Sequence, residues 1–294
     1  MANLKAIRVR ISSVKSTRQI TSAMKMVSAA KLRKAQDKIV RLRPYVNKLQ
    51  EILGGLSRSL ADSEVENIYG RISDPEKVLI VVITSNRGLC GAFNGNVIKE
   101  TRRLISEKYA DQYRKGNVRI LTIGKKGYDF FRKTQVKLLP EQNNLLNHLS
   151  FEAAANLADT LMKSFVSKEY DRIDIVYNQF KNAAVQNLTV EPFLPVTGNT
   201  KASENQEVVD YIYEPDQEAI VKDLIPKSLK IQFYKAVLDS YVAEHGARMT
   251  AMHKATDNAT QLVRDLTLQY NKARQASITN QILEVVSGAE ALRG

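Results

Sequence analysis

The stretch TSNRGLCGAFNGN, residues 84–96, is the part of the sequence whose composition most invites chemistry. It follows an apolar run and precedes a helical pattern, where glycine-rich turns can cradle phosphates on backbone amides. Its spacing argues against that use. It matches neither G-x-G-x-x-G nor G-x-x-x-x-G-K-[ST], and no acidic residue stands at the distance that would take a ribose hydroxyl. The glycines read as a tight turn, with Cys90 a small buried or half-buried side chain. Cys90 is the only cysteine, which excludes an internal disulfide framework and a cysteine-based metal site. The histidines, His148, His245 and His253, have no metal-ligand arrangement. His245 and His253 lie eight apart with Glu244 beside the first, which is not a zinc-protease spacing. Ser, His and Asp come together nowhere suggestively. The expectation is a chain with no catalytic residue, no metal and no bound cofactor.

The elements around that loop alternate. Lys77–Thr84 (KVLIVVIT), Val118–Gly124 (VRILTIG) and Arg172–Phe180 (RIDIVYNQF) are short, β-rich apolar runs, as expected of strands buried on both faces. Helical stretches lie between them, around Phe93–Tyr109 and Phe151–Tyr170, and residues 186–196 add another strand. Strand–helix alternation predicts a mostly parallel, Rossmann-like sheet with covering helices. This gives an α/β domain over residues 75–200.

Both ends of the chain have a different design. Leu4, Ile11, Leu32, Ile39, Val46, Leu53 and Leu60 hold one heptad position; Ile7, Val14, Ala35, Leu42, Leu49 and Leu56 hold the other. That spacing turns one stripe toward a partner helix, as in a left-handed coiled coil. The frame breaks at Arg18, Thr21, Lys25 and Ser28, where Ile20, Met24 and Val27 form a stripe shifted by one residue. This stretch is expected to touch a neighbouring subunit as well as its own helix. Pro44 implies a bend, and Gly54 and Gly55 weaken the end. Toward the C-terminus, Ile231, Tyr234, Leu238 and Tyr241 set a frame that His245 and Arg248 interrupt. It resumes at Met252, Ala255, Ala259, Leu262 and Leu266 and runs through Ala273, Ala276 and Leu283. Neither stripe can be buried alone. Residues 1–70 and 205–294 are therefore expected to pair as a long antiparallel two-helix coiled coil beside the central domain.

Charge is concentrated at one end. Residues 1–60 carry fourteen Lys or Arg against Asp37 and Glu51, while the other 234 residues carry thirty basic against twenty-nine acidic groups. A basic segment of this kind expects an acidic partner. The longest apolar run, Val78–Ile83, is six residues, far short of the roughly 20 that a membrane-spanning helix needs. The first twenty residues are basic, serine-rich and free of acids, as transit peptides are. Because their hydrophobic frame continues far beyond any cleavable segment, they read as the mature N-terminus.

Four segments together carry a resemblance: ITSAMKMVSAAKL (20–32), SNRGLCGAFN (85–94), YIYEPD (211–216) and ARMTAMHKATDNA with LTLQYNKARQASIT (247–259 and 266–279). In this order and at these separations the sequence resembles the γ subunits of F-type ATP synthases, over nearly its whole length. The resemblance implies a central shaft, without catalytic residues or cofactors of its own, turning inside a hexamer of α and β subunits. It implies a foot standing on the c-ring and binding the ε subunit, with the membrane touched only through the c-ring and no nucleic acid partner. Met24 and Lys25 would face the acidic lever loop of β, Arg248, Arg274 and Gln275 other β loops, and Tyr211 and Glu214 the polar loops of the c-ring. The tail, residues 283–291, would turn in an apolar bearing. A bacterial protein, peripheral on the cytoplasmic side of the inner membrane, is the expected source.

The sequence departs from the family pattern at two positions. Asn86 stands where Asp is common and Gln281 where Glu is common, so a carboxylate contact at 281 is not carried over. No cysteine-bearing insertion appears near 196–210, so no thiol switch is expected. Two other classes fit parts of the chain. A coiled-coil nucleic-acid binder would use the basic first helix, and its binding would weaken steeply with salt. A nucleotide-dependent α/β enzyme would bind ATP or NAD as an isolated chain.

Overall fold

The computed structural model describes residues 4–60, 68–71, 74–196 and 217–292. They form two compact units, one from Met1–Ser28 with Met249–Gly294 and the other from Ala29–Arg248. Two helices run through both: α1 (Leu4–Leu60) and α6 (Gln217–Ala291). Each contains a proline, Pro44 and Pro226, and each continues past it.

Within the larger unit, a five-stranded sheet has the order β3-β2-β1-β4-β5. Its strands are β1 (Val78–Ile83), β2 (Val118–Ile123), β3 (Lys137–Leu138), β4 (Arg172–Phe180) and β5 (Gln186–Leu194). The first four are parallel, with Val78 opposite Val118 and Arg172, and β5 is antiparallel to β4. Every residue of β1 is buried, because helices cover both faces. On one face Val78, Ile80, Val82 and Ile120 pack against Val97, Ile105 and Tyr109 of α2 (Phe93–Glu107) and its extension, and against Phe131 of α4 (Lys125–Phe131). A short α3 (Ala110–Arg114) lies between α2 and β2. On the other face Leu79, Val81, Ile83 and Ile175 meet Ala158, Leu161 and Phe165 of α5 (Phe151–Val166). At about 1.5–3 kcal/mol for each large apolar side chain removed from water, these layers are the main source of the domain's stability.

The same face holds residues from α6. Ile225, Leu229, Phe233, Ala236 and Val237 belong to one buried cluster with the sheet and α5. The C-terminal helix is therefore a covering layer of the α/β core as well as a coiled-coil partner. Its opposite flank carries Ile231, which packs with Val46 and Leu49 of α1. Arg43 of α1 donates to the Phe180 carbonyl at 2.9 Å and reaches Asp239 of α6 at 3.3 Å. Burial pushes the Asp239 carboxyl up, and the Arg43 guanidinium opposes that shift. Residues rising along α1 meet residues falling along α6, so this part of the pair is antiparallel.

The borders of the sheet differ from its centre. β3 is only two residues long. On the other border β5 contains Pro192, aligned with Asp174 of β4, and Glu191, which accepts from Tyr177 at 2.8 Å and from Gln232 at 2.7 Å. Buried Asp174 accepts from the Tyr109 hydroxyl and from Arg172 at 3.0 Å, which satisfies a carboxylate placed inside a strand.

Candidate functional site

In the smaller unit α1 and α6 meet along a seam that becomes polar in its middle. Leu4, Ile7, Ile11 and Val14 are half-buried, and the same frame then continues through Arg18, Thr21 and Ser28. Thr21 and Ser28 are buried, and Thr256 Oγ1 lies 2.8 Å from Thr21 Oγ1. Both threonine hydroxyls also bond within their own helices, to the Arg18 and Met252 carbonyls. Small side chains that satisfy themselves locally can occupy a seam at little cost. Of the shifted stripe at Ile20, Met24 and Val27, Met24 is half-buried and the other two face outward. Ile20 is 61% and Val27 57% exposed, as is Met26 at 65%. A similar slip occurs on α6, where Val263 is half-buried and Leu262 exposed.

The structure separates the residues singled out from the sequence. Met24 and Lys25 are half-buried, and Lys25 Nζ lies 3.3 Å from His253 Nδ1, which in turn is 3.4 Å from Asp257. Arg274 and Gln275 are exposed on α6. Tyr211 and Glu214 lie outside the described residues. Arg248, in the larger unit, is only 7% exposed, and its donors are taken by its own chain.

Arg248 closes the glycine-rich loop. Its guanidinium donates to the Arg87 carbonyl at 2.9 Å and approaches that of Gly88 at 3.4 Å, while Glu244 one turn back pairs with it at 2.7 Å. The loop is otherwise bonded to itself. Asn94 Oδ1 accepts from the Ser85 amide at 2.9 Å, Ser85 Oγ donates to the Arg87 carbonyl at 2.7 Å, and Cys90 is buried beneath. Asn86 uses both ends of its amide, donating to the Asn143 carbonyl at 3.0 Å and accepting from the Lys125 amide at 3.1 Å. A carboxylate could not make that donation.

The strand order reverses direction between β1 and β4, and the crevice outside the carboxyl ends of such strands is where open α/β sheets bind ligands. Here α6 lies across it. Gly246 approaches Ala183 and Phe180 just beyond β4, and Arg248 grips residues 87 and 88 just beyond β1. Among the described residues no group of three or more His, Cys, Asp or Glu is arranged to hold a metal ion. The sequence reading treated His245 and Arg248 as interruptions of a seam. The usable signal was Glu244 and Arg248, opposite charges one turn apart flanking a histidine in an apolar helix.

His245 sits in this knot, 5% exposed, its ring edge-on to Tyr241 at 4.5 Å between centroids. Burial, then the neighbouring Arg248 and Lys31 charges, hold its pKa down to about 3. Burial pushes the Glu244 carboxyl up, with Arg248 opposing. The unfolded imidazole takes a proton near pH 6.5 and the folded one does not until about pH 3. The stability linked to it is therefore complete above pH 6.5 and lost as pH falls. Between pH 7 and pH 5 the loss is about 2 kcal/mol. Urea unfolding at the two pH values should show that loss in the native chain and a smaller one in His245→Gln. Equal losses would remove His245 from the account.

A family model described as ATP synthase matches residues 3–292. The ATP synthase gamma chain of Flavobacterium johnsoniae is 57% identical over 294 residues, covering 100% of both chains. The chain belongs to the ATP synthase gamma-chain family. Gamma chains of Cytophaga hutchinsonii and Geobacter metallireducens are 49% and 46% identical, over 99% and 100% of each chain. Among solved structures, the central stalk and c-ring assembly of the Tetrahymena thermophila mitochondrial ATP synthase contains a chain 26% identical, with a TM-score of 0.55 over 80% of this chain and 99% of that one. A chain of the Euglena gracilis mitochondrial enzyme, 23% identical, shares the fold with a TM-score of 0.68 over 98% of this chain and 94% of that one. This gamma-family chain thus combines a mostly parallel α/β domain with the antiparallel helix pairing expected of its two ends.

Proposed function

We propose that the chain is the central rotor of a bacterial F-type ATP synthase, turning inside the α and β hexamer and coupling ion flow through a c-ring to ATP synthesis or hydrolysis. The observation that carries this reading lies in the smaller unit. A helix pair already closed along its own seam still exposes Ile20, Met26 and Val27 on α1, and Leu268, Ile282, Leu283 and Val285 on α6. An exposed apolar surface of this extent marks a contact with another protein, and the basic charge of α1 selects an acidic one.

The chemistry suits a rotor. Driving a β subunit from 1:99 to 99:1 between two conformations requires about 5.5 kcal/mol of differential contact. A stiff, lopsided pair of helices can present that difference to each β in turn, and charge attraction tolerates a sliding contact. Met24 and Lys25 would meet the acidic lever loop of β, and Arg274 and Gln275 would meet its neighbouring loops. Arg248 already spends its donors inside the chain, so any β contact there would use the loop it holds. Tyr211 and Glu214 would meet the c-ring, with ε beside them. Nucleotide chemistry would belong to the partner subunits, for α6 occupies the crevice where this fold would bind a ligand. No helix among the described residues is long and apolar enough to cross a membrane. As a rotor subunit the chain would sit peripherally on the cytoplasmic side, held through the c-ring. A tagged full-length chain mixed with α and β subunits should capture both in one ATP-hydrolysing complex. Absence of capture, or ATP turnover by the chain alone, would end the reading.

A further inference from the structure

We propose that Gly246 and Arg248 are positioning residues that key α6 into the crevice at the carboxyl ends of β1 and β4, so that torque enters the helix without swivel. The inference rests on the rotor reading and adds to it the place where the domain holds the shaft.

A helix fixed at one point can tilt about that point. The first support of α6 is the core, where Ile225, Leu229, Phe233, Ala236 and Val237 are buried against the sheet face and α5. The second lies nine residues beyond Val237, roughly 14 Å farther along the axis. There the helix touches two loops on opposite sides of the point where the strand order reverses. On one side a Cβ at Gly246 would stand 3.3 Å from both Cα and the carbonyl oxygen of Ala183, and 3.6 Å from the Phe180 ring. On the other side Arg248 bonds the Arg87 and Gly88 carbonyls, with Glu244 balancing its charge.

Glycine inside a long helix is unfavourable relative to alanine. Its presence here has a local reason, because any Cβ on α6 at this position would press on the turn after β4 at 3.3 Å, and that turn would have to give way. Arg248 is equally costly, since a buried ion pair recovers its desolvation only with good geometry and further bonds. Two unfavourable choices two residues apart, on different sides of the helix and each serving contact with a different loop, indicate a built seat. The ligand crevice of the fold has become a bearing for the chain's own helix.

The test uses the assembled enzyme in membrane vesicles, reading ATP hydrolysis and ATP-driven proton movement together. Gly246→Val should keep hydrolysis within about twofold of native while lowering protons moved per ATP by about threefold or more, because overpacking one contact displaces backbone locally. A misfolded fraction would lower both activities in step and leave the ratio unchanged. Gly246→Ala should lower the ratio less, because its single methyl asks the Ala183 backbone and the Phe180 ring to give way less. A native ratio in Gly246→Val overturns the seat while leaving the rotor reading intact. Failure of the native chain to assemble with α and β overturns the reading beneath it.

Discussion

Gly124→Ala should severely destabilise the α/β domain. Gly124 follows β2 with φ +106°, a backbone conformation that L side chains rarely adopt, and a Cβ there would lie 2.2 Å from the Thr84 carbonyl oxygen and 2.6 Å from its carbon. Those atoms belong to the backbone that leaves β1, and they are pinned. Thr84 donates its amide to Ile123 at 2.8 Å and its hydroxyl to Gly124 at 3.1 Å, while Gly127 donates to that hydroxyl at 2.9 Å. Relieving the clash means prying β1 from β2 at the centre of the sheet. The cost should exceed about 4 kcal/mol, in the exceptional range for a single substitution, against a typical total of about 5–15 kcal/mol. Gly91 is the control. It also has positive φ, +60°, but a Cβ there meets nothing within 4 Å, so Gly91→Ala should cost only about 1–2 kcal/mol. Thermal unfolding of both variants checks the pair. A soluble Gly124→Ala protein melting within a few degrees of native would refute the argument.

The second large effect concerns assembly. Ile20→Asp combined with Val27→Asp should leave the chain folded, since both side chains already face water, and should weaken capture of α and β subunits by about a hundredfold. The estimate takes about 1.5 kcal/mol for each apolar side chain whose burial is lost on binding. Placing carboxylates on a basic helix that awaits an acidic surface should add to the loss. Circular dichroism separates the two possibilities: native helix content with lost capture supports a docking face, and native capture contradicts it. Thr21→Val makes the contrasting case. It touches the seam rather than the outer face, so it should alter the helix pair more than the affinity.

The contrast between Ile20 and Thr21 also explains how far the sequence could be read. Continuous apolar runs located β1, β2 and β4 almost to the residue, because a strand covered on both faces must be largely apolar. Heptad spacing located both long helices, because each buries one stripe. It failed where hydrophobicity and burial part company. In the stretch 18–28 the buried positions are filled by hydroxyls that bond within their own helices, and the apolar residues face outward to await a partner. Apolar periodicity alone would reverse those two faces; what the sequence does show there is a break in the frame at Arg18, Thr21, Lys25 and Ser28. The short α3 and α4 and the two-residue β3 carry too few residues to show a period. The contribution of α6 to the sheet's cover was visible only as a second apolar flank at Ile225, Leu229 and Phe233, which sequence alone cannot assign to a sheet rather than to a coil. The closed crevice was hidden more deeply, since Arg248 makes its contacts with backbone carbonyls 160 residues away, and carbonyls leave no trace in composition.

A subunit that works only in company must survive the interval before its partners arrive. An open β-sheet is a hazard in that interval, because its outermost strands offer unsatisfied amides and carbonyls to any second polypeptide. One border here is too short to serve as a template, and the other carries a proline that offers no amide and a glutamate already committed to Tyr177 and Gln232. Neither border therefore offers a second copy an easy template, and the sheet is guarded against edge-to-edge pairing before assembly.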